Sequence, residues 1–408
     1  MVIVLDAFSG SHTPYILEQF PHFKEQLDGF VLFPNTISTT NSTIHSIATL
    51  IGGEYYAAYN MNKRKQNLAQ EIDKAFINTA NAFAVANFSV SLMAFVGSKI
   101  DNINAQTNSE VFALDAGSRA FLNYYIRQEN LFETIKANTA KNSKYIQTAQ
   151  LTAFGLFKFA PKPLHSSIYN DGLWLFDTKS HAITAIGYAA TFYAPTHILS
   201  VDSAKPTFKY FHSMMTHTPY GMYFNNDKCE FFSDKSAFAD YPHKARIENA
   251  HQHFDTEACA LKYLTHFVAN LKNLGIYDNT QIFIVSDHGG TGPINIPISS
   301  RPDALLLFKD FGAKGALRED NRLMANYDIP SIFCANLPNG CPSVGQNILA
   351  HYPQNREIIH TIPSAWQLAR HRKNEWYITK AYKVHNNIYS AKNWTDISDS
   401  KYGIVNVR

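Results

Sequence analysis

Apolar residues along this chain fall into two alternating kinds of run. The short unbroken ones are "VIVL" (2–5), "FVLF" (30–33), "SVSLMAFVG" (89–97), "FKYFHSMM" (208–215), "QIFIVS" (281–286) and "ALLLF" (304–308). Their length and their β-branched or aromatic content predict buried strands. Between them, Ile44, Ile47, Ala48 and Ile51 keep the i, i+3, i+4, i+7 spacing of a helix with one apolar face. Longer helical stretches run over 68–88 and 250–274. Strands alternating with helices predict an α/β fold, a mostly parallel central sheet with helices on both faces. Beyond Gln346 the pattern changes. "EWYITKAYKV" and "NIYSAKNW" alternate like antiparallel strands, and "IPSAWQLARH" reads as a short helix. Residues 1–346 are therefore expected to form the main domain, and 347–408 a small C-terminal α+β subdomain packed on it.

Sheets of this kind bind ligands beyond the carboxyl ends of their strands. Asp6 follows the first strand, and the hydroxyl-rich "STTNST" (38–43) follows the second. His217, in "THTPY", follows "KYFHSMMT", while Asp287 and His288, in "SDHGG", follow "QIFIVS". Singly, each has an ordinary explanation as a cap or turn residue. Ser42 or Thr43 suits the N-cap of the helix that Gly52 and Gly53 end. Brought to one sheet edge, they make a candidate metal site of two carboxylates, one imidazole and one alcohol oxygen. That donor set suits Zn²⁺, with Mn²⁺ as the harder alternative.

Charge narrows the partners. With 36 basic and 33 acidic side chains the net charge is +3, which gives no reason to expect nucleic acid. The most apolar stretch, residues 82–97, includes Asn87, Ser89 and Ser91 and falls short of the ~20 residues a membrane span needs. A core strand directly after Met1 leads us to expect further residues upstream, a membrane segment or a signal. Among the four cysteines, Cys334 and Cys341 bracket the turn-rich "ANLPNG" and are expected to pair in an oxidising compartment. Cys259 lies in a helical pattern and is expected as a small core residue, and no spacing among the cysteines reads as a zinc finger.

These segments resemble the alkaline phosphatase superfamily, specifically its sulfatase-like branch. The chain is most similar there to the soluble domains of phosphoethanolamine transferases and of lipoteichoic-acid-synthase-type phosphoglycerol transferases. "VIVLDAFSGSH" matches the opening strand with its acidic ligand, and "IVSDHGG" the late strand ending in two metal ligands. "TIHSIATLIGG" matches the nucleophile helix, and "THTPY" a loop that contacts the substrate phosphate. The resemblance implies Thr43 as nucleophile and one divalent metal held by Asp6, Thr43, Asp287 and His288. It implies substrate contacts from His217, His12 and Arg301, with Ser42 as the reserve alcohol. His45 stands where many relatives have Pro, Asp6 where the lipid A transferases have Glu, and Arg301 near the place of a second phosphate-binding His.

The implied reaction has two steps. Thr43 takes a headgroup, phosphoethanolamine in the favoured reading, from a phospholipid donor; a glycan or lipid-linked glycan acceptor then removes it. The implied location is periplasmic, or the extracytoplasmic face of a bacterial inner membrane. "STIHSI" has no Cys, Pro or Arg, so formylglycine-dependent sulfate hydrolysis is not expected. For a second metal, His212, His251, His253 and Asp255 were the residues to weigh, and none reads as a strand-end ligand. Phosphoglycerol transfer, phosphodiester hydrolysis and a sulfatase-like hydrolase are the alternatives, and a non-catalytic glycan-binding module the alternative from another class.

Overall fold

The computed structural model describes residues 1–94, 100–107, 111–115, 119–140, 152–165, 168, 180–199, 201, 203–233, 235–238, 250–290, 293–298 and 300–398. In chain order its strands are β1 (Val2–Leu5), β2 (Phe30–Leu32), β3 (Thr36–Ile37), β4 (Ser89–Ala94) and β5 (Val111–Asp115). Then come β6 (Thr207–Ser213), β7 (Met222–Asn225), β8 (Lys228–Phe231), β9 (Ile282–Val285), β10 (Leu306–Lys309), β11 (Arg318–Glu319) and β12 (Met324–Ala325). Last are β13 (Glu357–Pro363), β14 (Ile378–His385) and β15 (Trp394–Asp396). Four helices matter for the site: α1 (Thr43–Gly52), α2 (Leu68–Val85), α3 (Ser180–His197) and α4 (Ala250–Asn273).

Eight strands form the central sheet in the order β11-β2-β10-β9-β1-β6-β4-β5. β1 lies between β6 and β9 and is parallel to both. β10 runs antiparallel to both β9 and β2, so β2 points the same way as β1. The carboxyl ends of β1, β2, β6 and β9 therefore open on one edge, as the alternation of strands and helices predicts. Side-chain alternation divides the core in two. Val2 and Val4 face one apolar layer with Ile47 and Leu50 of α1 and Ile72 and Phe76 of α2. Ile3 and Leu5 face the other, with Ile186 of α3 and Phe254 and Leu264 of α4. Burial on both faces explains why the strands read as unbroken apolar runs.

The C-terminal region corrects one expectation. β13, β14 and β15 form an antiparallel sheet, but "IPSAWQLARH" forms no α-helix. Pro363 closes β13, and only the 3-10 turn Leu368–Arg370 follows. Ser364 N–H donates to Tyr377 O at 2.8 Å, and the His371 ring bonds the Ala365 carbonyl and the Tyr377 amide. These tertiary bonds hold the segment in a form that helical periodicity does not reveal.

The cysteines bring a second correction. Cys334 pairs with Cys341 as expected, but Cys259 is also bonded, to Cys229 on the β7–β8 hairpin. Cys259 is buried in α4, and the hairpin packs across that helix.

Candidate active site

Asp6 leaves β1 fully buried, its amide donating to Ser213 O at 2.9 Å. α1 begins opposite it. Ser42 occupies the N-cap with extended backbone, yet its hydroxyl makes no capping bond and has no partner. Thr43, the first helical residue, donates instead to Asp6 Oδ2 at 3.2 Å and lies 3.3 Å from His288 Nε2. Only one of the two adjacent hydroxyls faces the carboxylate, because the backbone turns from extended at Ser42 to helical at Thr43. Beyond β9, Asp287 Oδ1 accepts from the Ala7 and His288 amides at 3.0 and 2.9 Å. Its Oδ2 is buried, 3.3 Å from His288 Nε2, and makes no hydrogen bond.

This arrangement fits a divalent cation. His288 Nδ1 lies 2.7 Å from Gly289 O, a contact only a protonated Nδ1 can satisfy. In the neutral ring Nε2 is then a lone pair, and it faces Asp6, Thr43 and the unpartnered Asp287 Oδ2. Three oxygen donors and a lone pair directed at one point call for positive charge. Asp6, His212 and Asp287 also form a buried group whose ligand atoms lie within 4.8 Å of one another. His212, within β6, places Nε2 3.0 Å from Asp6 Oδ2. Burial works to raise the Asp6 carboxyl, but the His212 hydrogen bond and the neighbouring imidazoles outweigh it and hold the group well below the usual carboxylate range. Burial works against the His212 imidazolium too, and Asp6 reverses it, raising that pKa.

Among the other hydroxyls near Thr43, Ser38 and Ser46 are scaffolding, while those of Thr39 and Thr40 are buried without a hydrogen-bond partner. Ser38 Oγ and Ser46 Oγ each donate to the Asp287 carbonyl at 2.6 Å, and Asn326 Nδ2 reaches it at 2.9 Å. Asn326 also touches Ser38 Oγ and Ser46 Oγ, at 3.1 and 2.8 Å, and its Oδ1 accepts from the Thr39 amide at 3.3 Å. From the C-terminal sheet, Thr361 N–H donates to Thr39 O at 2.8 Å, and His360 Nδ1 lies 2.7 Å from Ser38 O. The glycines of "SDHGG" are required by close approach. A Cβ on Gly289 would lie 2.4 Å from Asp303 Oδ1, and one on Gly290 1.9 Å from His253 Cε1.

His217 sits at the rim, part-exposed, with its ring 6.1 Å from that of Tyr188. Arg301 spans the loop before α1, its Nη2 donating to Asn41 O at 2.9 Å. His12 lies apart from this group. It is fully buried, stacked 3.9 Å from Phe254, with Nδ1 2.7 Å from Glu257 Oε2. His253 Nε2 lies 3.0 Å from the other oxygen of Glu257, which also accepts from Ser9 N–H at 2.7 Å. Ser9 Oγ in turn accepts from Gly290 N–H at 2.9 Å. Burial alone would raise the Glu257 carboxyl, but the two imidazoles hold it at about 2. His12, His253 and Glu257 form a second buried group of metal-ligand type. Each imidazole faces its own carboxylate oxygen, so the trio works as a hydrogen-bonded brace from α4 to the loops bearing Asp6 and Asp287.

In the sequence His212 stood out only as a candidate for a second metal, and Glu257 and Asn326 not at all. His212 sits within a strand, and its one signal is an imidazole in an otherwise buried apolar run. Glu257 falls one helical turn after His253, a spacing that puts both on one face of α4. Asn326 carried no signal.

The sulfatase family model matches residues 1–296, and the chain belongs to that family. Its architecture is that of the alkaline phosphatase superfamily, whose members are metal-dependent hydrolases and transferases. A protein of the Bacteroides thetaiotaomicron locus for metabolism of multiple glycosaminoglycans is 13% identical, with a TM-score of 0.53, over 100% of this chain and 91% of that one. Ps i-CgsB in complex with k-i-k-neocarrahexaose is 16% identical, with a TM-score of 0.52, over 97% and 85%. A lipoteichoic acid synthase of Listeria monocytogenes is 11% identical, with a TM-score of 0.48, over 98% and 86%. At these identities the likeness is one of fold. No curated protein matches the chain in sequence.

Proposed function

We propose that this chain is a phosphotransferase that moves a phospholipid headgroup, phosphoethanolamine in the favoured reading, to a cell-envelope glycan. The observation that carries this is the Thr43 hydroxyl, at the first position of α1 and 3.2 Å from Asp6 Oδ2. The segment around it, "STIHSI", has neither the Cys nor the Pro and Arg that formylglycine chemistry needs. An alcohol at a helix N-terminus faces free backbone N–H groups and the positive end of the helix dipole, a setting that favours an anionic phosphoryl group.

Asp6, Thr43, Asp287 and His288 would hold one divalent ion, Zn²⁺ favoured over Mn²⁺; when bound it lowers the alcohol pKa and offsets phosphoryl charge. In the first step Thr43 Oγ1 attacks phosphorus and its proton is released to solvent at the open edge of the site. The bond from phosphorus to the diacylglycerol oxygen breaks, and His217 at the rim supplies that oxygen's proton. An acceptor hydroxyl then attacks the phosphothreonine and gives its proton to His217, the bond from phosphorus to Thr43 Oγ1 breaks, and the freed Thr43 oxygen takes a proton from solvent. Arg301 lies over the nucleophile loop, where its guanidinium can orient phosphate oxygens. His12 is enclosed by Phe254 and Glu257 and takes no part in substrate contact. Two cystine pairs support an extracytoplasmic location.

The test is diacylglycerol release from a fluorescent phospholipid, with intact-mass analysis of the protein after exposure to phosphatidylethanolamine or phosphatidylglycerol. Thr43→Ala should lose at least about a thousandfold in rate, as removal of a nucleophile does. Ser42→Ala should stay near wild type, because its hydroxyl has no partner to lose. The mass gained on Thr43 identifies the headgroup. An active Thr43→Ala enzyme would overturn the reading.

A further inference from the structure

Residues 152–165 form a surface element whose outward face is apolar. A helix over 152–159 is followed by Pro161 and the 3-10 turn Lys162–Leu164. His165 folds back, its ring 4.2 Å from Phe157 and its Nε2 3.0 Å from Ala160 O. Buried Ala153 and half-buried Phe157 mark the inner face. At 100° per residue Lys158 and Phe159 lie on the other side, with Phe154 and Leu156 on its two flanks. Phe159 is 84% exposed, Leu164 52%, Phe154 46% and Leu156 42%. A helix on the surface of a globular protein ordinarily turns its polar face to solvent. A cluster of exposed aromatic and aliphatic tips marks a surface built for a partner.

Charge identifies that partner. Residues 134–170 contain no Asp or Glu and five lysines, Lys136, Lys141, Lys144, Lys158 and Lys162, in a chain whose whole excess is +3. Lys158 and Lys162 are exposed and interleaved with the apolar tips. Apolar tips beside cations fit the headgroup boundary of an anionic bilayer, where the tips enter the acyl region and the cations meet lipid phosphates. The helix over 152–159 is far shorter than the ~20 residues a membrane span needs, so this contact is peripheral. We propose that residues 152–165 dock this chain on an anionic membrane surface, with Phe159 and Leu164 inserted and Lys158 and Lys162 on the phosphates. The proposal goes beyond the headgroup-transfer reading and is independent of which group Thr43 carries.

The experiment is co-sedimentation of the full chain with vesicles of phosphatidylcholine alone or mixed with phosphatidylglycerol. Wild type should partition onto the mixed vesicles and far less onto the neutral ones. Phe159→Ser/Leu164→Ser should lose at least about tenfold, since each buried methylene contributes to interfacial binding. Lys158→Gln/Lys162→Gln should lose about fivefold per lysine, an effect that added salt mimics. All four residues are exposed, so thermal melts should stay unchanged, and so should turnover of a water-soluble, non-micellar phosphodiester. Loss of that turnover alone would count against the Thr43 reading and leave vesicle binding intact. The docking proposal fails if wild type ignores anionic vesicles, or if the Phe159/Leu164 variant binds them as wild type does. It fails equally if the segment instead holds single-stranded RNA with an affinity the apolar substitutions do not change.

Discussion

Asp255 is a buried carboxyl that the proposed site leaves unused. It lies in α4, fully enclosed, and burial pushes its carboxyl up to about 7 against the pull of Ser236 and the Phe224 and Ala237 amides. Its unfolded-state value is about 3.9, so between roughly pH 4 and the folded value the native state keeps a proton that the unfolded chain releases. Stability attributable to Asp255 is therefore full below that window and falls by about 1.4 kcal/mol per pH unit across it. Asp255→Asn should gain on wild type in urea melts as pH rises from about 5 to 7; a gap independent of pH would refute this. Residues differ in how far the sequence exposes such roles. Asp6, Asp287 and His288 were legible because a polar residue at the end of a buried strand has few reasons to be there. Asp255, Glu257 and His253 sit inside one helical run, where spacing gives a face but not what that face meets.

At the scale of elements, α1 and the loop before it are held by a part of the chain far away. Asn326, in the 3-10 turn Asn326–Asp328, gathers Ser38, Ser46 and the Asp287 carbonyl. Asn326→Ala leaves every proposed ligand in place yet removes a bond to the Asp287 carbonyl and the tie between Ser38 and Ser46 on either side of Thr43. Metal titration should show affinity lowered by about 10–100-fold, with a loss of ~1–3 kcal/mol in stability from buried acceptors left unsatisfied. Unchanged affinity would make Asn326 merely structural. The cystines belong to this scale too. Thiol counting under denaturing, non-reducing conditions should find no free thiol, and two would break the Cys229–Cys259 bridge. Helix α1 itself was legible from its apolar spacing and glycine stop. The Asn326 contact was not, because no local pattern ties residue 326 to residue 38. Likewise the helix expected at "IPSAWQLARH" gave way to tertiary hydrogen bonds.

Across the whole molecule, strand–helix alternation was enough for a parallel sheet with helices on both faces. Strand order was beyond it, as was the antiparallel β10, because a four-residue apolar run carries no sign of direction. The sheet edge assembles its donors from the first and last thirds of the chain, so the proposed ion should stabilise the fold globally. Adding Zn²⁺ or Mn²⁺ to metal-stripped protein at a hundredfold excess over Kd should contribute about 2.7 kcal/mol and raise Tm. Asp287→Ala should show no such rise; an equal rise would place the ion elsewhere. The contact of β13 with the loop before α1 bears on timing. Ser38 and Thr39 bond to His360 and Thr361, 322 residues later. While the chain is being synthesised, the loop before Thr43 waits unbraced until the last strands emerge. A nascent or truncated chain that stops before Thr361 thus holds Thr43 without this brace, and the proposed chemistry waits for β13.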